Sequence, residues 1–397
     1  MPIKRFSPWV LIAFLIAVPA LWAEGEAELF KAISKSDKDE CLRLIEAGVD
    51  VNAKDTYELP VLIAAINKNM TDVVLALLKA GADAGARSKT GSTPLFYAVS
   101  RQNPEAVKAL LDKKAKVDVH DARGFTPLLI ASFLSNTSVT EMLLKAGASV
   151  KDATEQRMTP LHYAARNGNV AQCELFLAAD AELEARDILD ETPFFKAAIY
   201  GRTDVVKLLL NKGADIESRC AFGDTPFAAV ISGIHWEVNT NEIWDRNRSK
   251  TPPMSSRAHP VYLNIAEVLI KAGARTDVTD AYNQTALIRA AKVGRPEVID
   301  FLSKQGLELE KADSAGNTAL IYAAIYGQVK SLQKLIELGA KVNAANNDGR
   351  TASDMVRREL DKIQVRTDTR TMIMSLPKLK ENVKEEILNV LELAGAK

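Results

Sequence analysis

The chain has 397 residues, 47% of them hydrophobic, and its 51 basic residues are matched by 51 acidic ones. The apolar share is ample for a continuous core, and a net charge of zero removes the electrostatic case for nucleic acid or an anionic membrane as partner.

Lys4 and Arg5 precede an apolar run from Trp9 to Val18, which is followed by Pro19-Ala20-Leu21-Trp22-Ala23 and acidic Glu24 and Glu26. That order outlines a secretory signal peptide over residues 1–23, cut after Ala23 or Ala20. The alternative is an uncleaved inner-membrane anchor, but the run falls short of the ~20 residues a spanning helix needs and carries Pro19. The expectation is therefore export to the periplasm or the medium, free of the membrane once the signal is cleaved.

Beyond residue 25 the sequence repeats. Thr93, Thr126, Thr159, Thr192 and Thr225 follow one another at steps of 33 residues, and the same position returns at Thr285, Thr318 and Thr351. Each Thr opens a short helical run in which the hydroxyl can cap free backbone amides and a following Pro occupies the first turn. A turn leads to a longer apolar run such as Val205-Val206-Lys207-Leu208-Leu209-Leu210, closed by a Gly such as Gly213 that suits a left-handed cap. One unit cannot bury its own apolar face, whereas a stack of them can. The closing position recurs at Gly48, Gly81, Lys114, Gly147, Asp180, Gly213, Gly273, Gly306, Gly339 and Gly395, which makes ten units.

The best copy, Thr159-Pro160-Leu161-His162-Tyr163-Ala164-Ala165, resembles the signature of the ankyrin repeat. The resemblance implies an all-α repeat solenoid of about ten helix-turn-helix units with hairpin-like loops, atypical at both ends. It is expected to form a single solenoid over residues 25–397. The first unit lacks the Thr-Pro start and is rich in charge, as a terminal unit should be. Thr225 to Gly273 and Thr351 to Gly395 are longer than the period allows, so insertions are expected at about 234–260 and 365–385.

Nothing in the sequence marks out a catalytic site, a cofactor or a metal centre. His120, His162, His235 and His259 lack metal-binding spacing, and there is no Gly-rich phosphate loop or nucleophile elbow. In the ankyrin pattern His162 belongs to the hydrogen-bond network at the helix start. Cys41 and Cys173 hold the same position in units four periods apart. With stacked helices at about 8–10 Å they would stand roughly 40 Å from each other, beyond the ~6 Å of a disulfide. They and Cys220 are expected to be unpaired.

The ankyrin resemblance implies binding through the hairpin tips and the exposed part of the inner helix, a concave surface that grips another protein. On this chain those positions hold Arg123, Phe125, Phe133, Leu134, Met158, Arg166, Asn167, Ile188, Leu189, Ile199, Tyr200 and Phe222. So many apolar and aromatic members in consecutive units read as an interface core. Some of them, Phe133, Leu134 and Ile199 above all, could instead pack against the next repeat. Phe125→Ala with Tyr200→Ala is then expected to weaken partner capture at little cost in stability. Trp236 and Trp244, among the arginines of the first insertion, are a second candidate surface, or else cover the solenoid. The function expected is that of an exported scaffold or regulatory protein, monomeric, that binds a protein partner. Exported bacterial ankyrin proteins resemble helper or protective subunits for envelope enzymes, and others act on host proteins. A secreted effector is thus the alternative, ahead of an enzyme built from the two insertions.

Overall fold

The repeated Thr begins each inner helix through its side chain. Its backbone is extended, and its hydroxyl accepts the amide three residues on: Leu129 N–H to Thr126 at 3.3 Å, Phe195 N–H to Thr192 at 3.1 Å, Ile288 N–H to Thr285 at 3.2 Å. One of the orphan donors at the helix start is thereby satisfied. Thr159 adds a reciprocal bond, its own amide donating to His162 Nδ1 at 3.2 Å, so the buried imidazole is part of the helix start as expected. Thr126→Ala should cost about 1 kcal/mol, read as a lower urea midpoint with an unchanged slope.

The computed structural model describes residues 25–232, 259–280, 283–357, 362–366, 371–375 and 377–396. The signal segment expected at 1–23 lies outside these residues. The chain divides into two compact units, one reaching to Glu182 and the other starting at Leu183.

The first unit pairs α1 (25–35) with α2 (Lys38–Glu46), α3 (Val61–Asn67) with α4 (Thr71–Lys79), and α5 (Pro94–Ser100) with α6 (Pro104–Asp112). Next come α7 (Pro127–Phe133) with α8 (Thr137–Lys145) and α9 (Pro160–Asn167) with α10 (Val170–Ala178). Inner helices α3, α5, α7 and α9 pack in succession, as do outer helices α2, α4, α6, α8 and α10. One-period sets of side chains form the core between them. Leu95, Leu128 and Leu161 are fully buried, and so are Cys41, Val74, Val107, Thr140 and Cys173. The thiols are unbridged, and burial pushes Cys41 up to about 11 and Cys173 up to about 12, so both act as small core residues.

The second unit repeats the plan with α11 (Pro193–Ile199) and α12 (Thr203–Asn211), then α13 (Pro226–Ser232) and α14 (His259–Lys271). It continues with α15 (Ala286–Val293) and α16 (Pro296–Lys304), α17 (Ala319–Ile325) and α18 (Val329–Glu337), and α19 (Ala352–Arg357) and α20 (Glu381–Leu393). Its inner helices again pack in succession, around fully buried Phe194, Phe195, Phe227 and Tyr322. All ten closing positions have positive φ, from 57° at Lys114 to 97° at Gly81. Eight are Gly, for which that region carries no steric cost; Lys114 and Asp180 take it with a side chain.

Within the described residues the chain is thus an all-α repeat fold of ten helix pairs. The first long spacing falls between α13 and α14, with residues 233–258 outside the described set. The second falls between α19 and α20 and contains an antiparallel pair, β1 (Lys362–Arg366) and β2 (Thr371–Ser375), in which Gln364 stands opposite Ile373. That two-stranded sheet is an addition to the helical plan.

Candidate protein-binding surface

The loops between helix pairs are shaped by the residue five places before the repeated Thr. Asp121 Oδ1 accepts the amides of Arg123 and Phe125, both at 2.9 Å, and Asp187 Oδ1 accepts those of Leu189 and Glu191 at 2.9 and 3.0 Å. Asp313 Oδ1 takes Ala315 and Asn317 in the same way. Each carboxylate folds its own loop into a tight Asx-type tip. In the second unit neighbouring tips are tied, Ala221 N–H donating to Leu189 O at 2.7 Å. Arg186 Nη1 bridges Asp190 O and Arg219 O at 2.9 and 2.8 Å, and Arg219 Nη1 donates in turn to Thr279 O at 3.1 Å. The tips are held side by side before any partner arrives.

Placed on this frame, the sequence-predicted residues separate into two groups. Ile188 and Phe222 project from adjacent tips, 44% and 41% exposed. Leu189 and Tyr200 are half-buried beside them, Tyr200 lying on the cluster of Phe195, Ile199, Cys220 and Ala229. In the first unit Arg123, Leu134, Arg166 and Asn167 are half-buried. The Arg123 guanidinium lies 5.3 Å from the Phe125 ring centroid and 3.0 Å from Asp121.

Phe125, Phe133, Met158 and Ile199 correct the expectation of one open apolar patch, because all four are buried. Phe125 and Phe133 flank Tyr163 on α9, with ring centroids 6.4 and 5.7 Å away, the second edge-on at 83°. They bury large apolar area between α7 and α9, and so do for the stack what a partner would have done for them. Met158 is buried, its amide donating to Thr154 Oγ1 at 3.3 Å, and Ile199 is held in the cluster on which Tyr200 packs. Asn167 is also structural, since its Nδ2 donates to Ser132 O at 3.1 Å and Phe133 O at 3.0 Å and satisfies carbonyls at the end of α7. Trp236 and Trp244 lie outside the described residues.

Two features escaped the sequence reading. Tyr57, at the tip before α3, is 80% exposed, and its tip Asp55 was a visible signal. The other is a buried ionic system on the second unit's inner helices. Lys196 of α11 stands 2.7 Å from Asp187 Oδ2 and also pairs with Glu191. Arg289 of α15 makes a two-pronged pair with Asp224, one arm being 2.7 Å long. Burial weighs against the Lys196 charge, but the Glu191 and Asp187 carboxylates outweigh it and hold the amine protonated above its usual range. Burial raises Glu191, opposed by Lys196. Lys196 and Arg289 occupy the site filled by Tyr163 and Tyr322 in other repeats, where a charge between apolar neighbours announces a buried partner.

Among the described residues no group of three or more His, Cys, Asp or Glu could hold a metal ion, and no helix is long and apolar enough to cross a membrane. The repeated geometry offers a row of side chains on a rigid frame, which is the equipment of a binding surface. The family model for ankyrin repeats matches residues 61–154, 150–220 and 257–346, and the chain belongs to the ankyrin-repeat family. Among solved structures it is similar to the ankyrin repeat domain of Bcl-3, described as a unique member of the IkappaB protein family. That likeness has 23% identity and a TM-score of 0.44, and covers 50% of this chain and 91% of that one. No curated protein matches the chain.

Proposed function

We propose that this chain is an exported ankyrin-repeat scaffold or regulatory protein that acts by holding a partner protein on the hairpin tips of its second unit. The observation that carries this reading is the pair of apolar side chains, Ile188 and Phe222, exposed on tips that the Asp187 carboxylate, the Arg186 bridge and the Ala221 amide fix in place. Exposed apolar groups on a preorganised frame bind at low entropic cost, and aromatic anchors of this kind dominate interface energies. Export rests on Lys4, Arg5 and the apolar run before Glu24. The working form is a monomer without a cofactor.

The test compares wild type with Ile188→Ser/Phe222→Ser. Both sites are exposed, so stability should change by no more than about 0.5 kcal/mol at each. Capture from an envelope extract should recover a protein with wild type and lose most of it with the double variant, a fall of at least about tenfold. Equal recovery by the two chains would remove the tips from the function. Cell fractionation checks the location, with the mature chain expected outside the cytoplasm.

A further inference from the structure

Elsewhere in the second unit, Lys292 in the last turn of α15 lies beside two tyrosines of α17. Its amine lies 5.7 Å from the Tyr322 ring centroid and 5.1 Å from that of Tyr326, and the two rings are 6.1 Å apart at 43°. Lys292 and Tyr326 are half-buried, while Tyr322 is fully buried and donates its hydroxyl to Asp313 Oδ2 at 2.7 Å. The nearby acids are engaged elsewhere: Asp313 holds the Ala315 and Asn317 amides as well as that hydroxyl, and Asp280 Oδ1 takes the Gln284 amide at 2.9 Å. Arg289, one turn earlier on α15, is consumed by Asp224. Among the described residues Lys292 has ring faces for company and no carboxylate at ion-pairing distance.

An ammonium in that position has lost part of its hydration and received in return the weak attraction of two π faces and the more distant pull of Asp280 and Asp313. Burial accordingly pulls Lys292 below the usual lysine range, against the pull of Asp280. A carboxylate arriving from outside would complete the site, because a charge-assisted hydrogen bond is strongest where water has been thinned. Lys292 is half-buried, and the tyrosine rings would flank an incoming group with apolar surface. Lys292 holds the inner-helix position that in α11 is Ile199, but where Ile199 is buried Lys292 is only half-buried.

We infer that the Lys292, Tyr322 and Tyr326 corner is a subsite for an Asp or Glu side chain of the bound protein, so that the partner presents an acidic residue in addition to the apolar group seated at Ile188 and Phe222. This rests on the protein-binding reading above. The probe is a displayed library of random dodecapeptides panned against the full chain. Enriched peptides should carry Asp or Glu, lose at least about tenfold in affinity on Lys292→Gln, and keep most of it on Lys292→Arg. Peptides without an acid, or binding indifferent to Lys292→Gln, would overturn the inference. If that binding still fails on Ile188→Ser/Phe222→Ser, the broader reading survives; if no peptide is enriched at all, both fall. Should Lys292→Gln lower thermal stability, the wild-type chain with 13C-methylated lysines answers the same question. The Lys292 signal must then move with an enriched peptide and stay still with its Glu→Gln, Asp→Asn form; a signal that ignores both overturns the inference.

Discussion

Lys196→Met should destabilise the second unit by about 3–5 kcal/mol, the range for breaking a buried ion pair by removing one member. Lys196, Asp187 and Glu191 are 7%, 2% and 2% exposed, so without the amine two carboxylates are left with no solvent to stabilise them. The loss should depend on pH, and the sign follows from Glu191. Burial already places its carboxyl above the ordinary 4.5, with Lys196 pulling the other way, so removing Lys196 raises it further. A carboxyl raised in the folded state favours folding at low pH and loses that advantage as the pH climbs through the folded value. The deficit of Lys196→Met should therefore be largest at neutral pH and shrink on acidification. Adding Glu191→Gln should return part of the loss. Urea unfolding of the three chains at neutral and mildly acid pH checks this, and a deficit that ignores pH would mean that Glu191 does not carry the uncompensated charge.

Phe125→Ala should cost the first unit about 3–5 kcal/mol, as deletion of a buried ring does. The ring is 4% exposed and lies against Tyr163, with the Arg123 guanidinium over it, so its loss opens a cavity between α7 and α9 and unseats Arg123. This reverses the expectation drawn from sequence, in which Phe125→Ala combined with Tyr200→Ala left stability nearly unchanged. Half-buried Tyr200 should still behave closer to that expectation. Urea melts of the two single variants separate the cases, and a Phe125→Ala chain as stable as wild type would show that the ring is dispensable to the stack.

The period made the fold readable, because each turn of it is enforced by chemistry that a sequence displays. Thr285 and Thr318 keep their cap without the Pro, and Lys114 and Asp180 hold the left-handed place without the Gly. Register placed α14 across a long insertion, since Ile265, Ala266 and Leu269 carry the buried pattern on the far side. The strands were less visible, although Lys-Ile-Gln-Val-Arg at 362–366 alternates with the period of two that marks a strand. Five such residues are easily passed over among 33-residue helical units.

The surface was harder to read than the fold. The residue before the repeated Thr is a tip neighbour in every unit, yet Phe125 and Met158 turn inward where the next inner helix offers apolar surface. Glu191 and Asp224 at the same position turn inward to a buried cation. Position in the repeat therefore does not fix exposure; the side chain opposite does. Ile188 and Phe222 stay 44% and 41% exposed on tips whose backbone is held by Asp187 and the Ala221 amide.

Site-specific photocrosslinking asks most directly whether these tips hold a protein. A benzophenone side chain is placed at Ile188 or Phe222, and as a control at Lys207, an exposed position on outer helix α12. Illumination of cells should give one and the same adduct from 188 and 222 and none from 207. An adduct from 207 with none from the two tips would contradict binding at this surface.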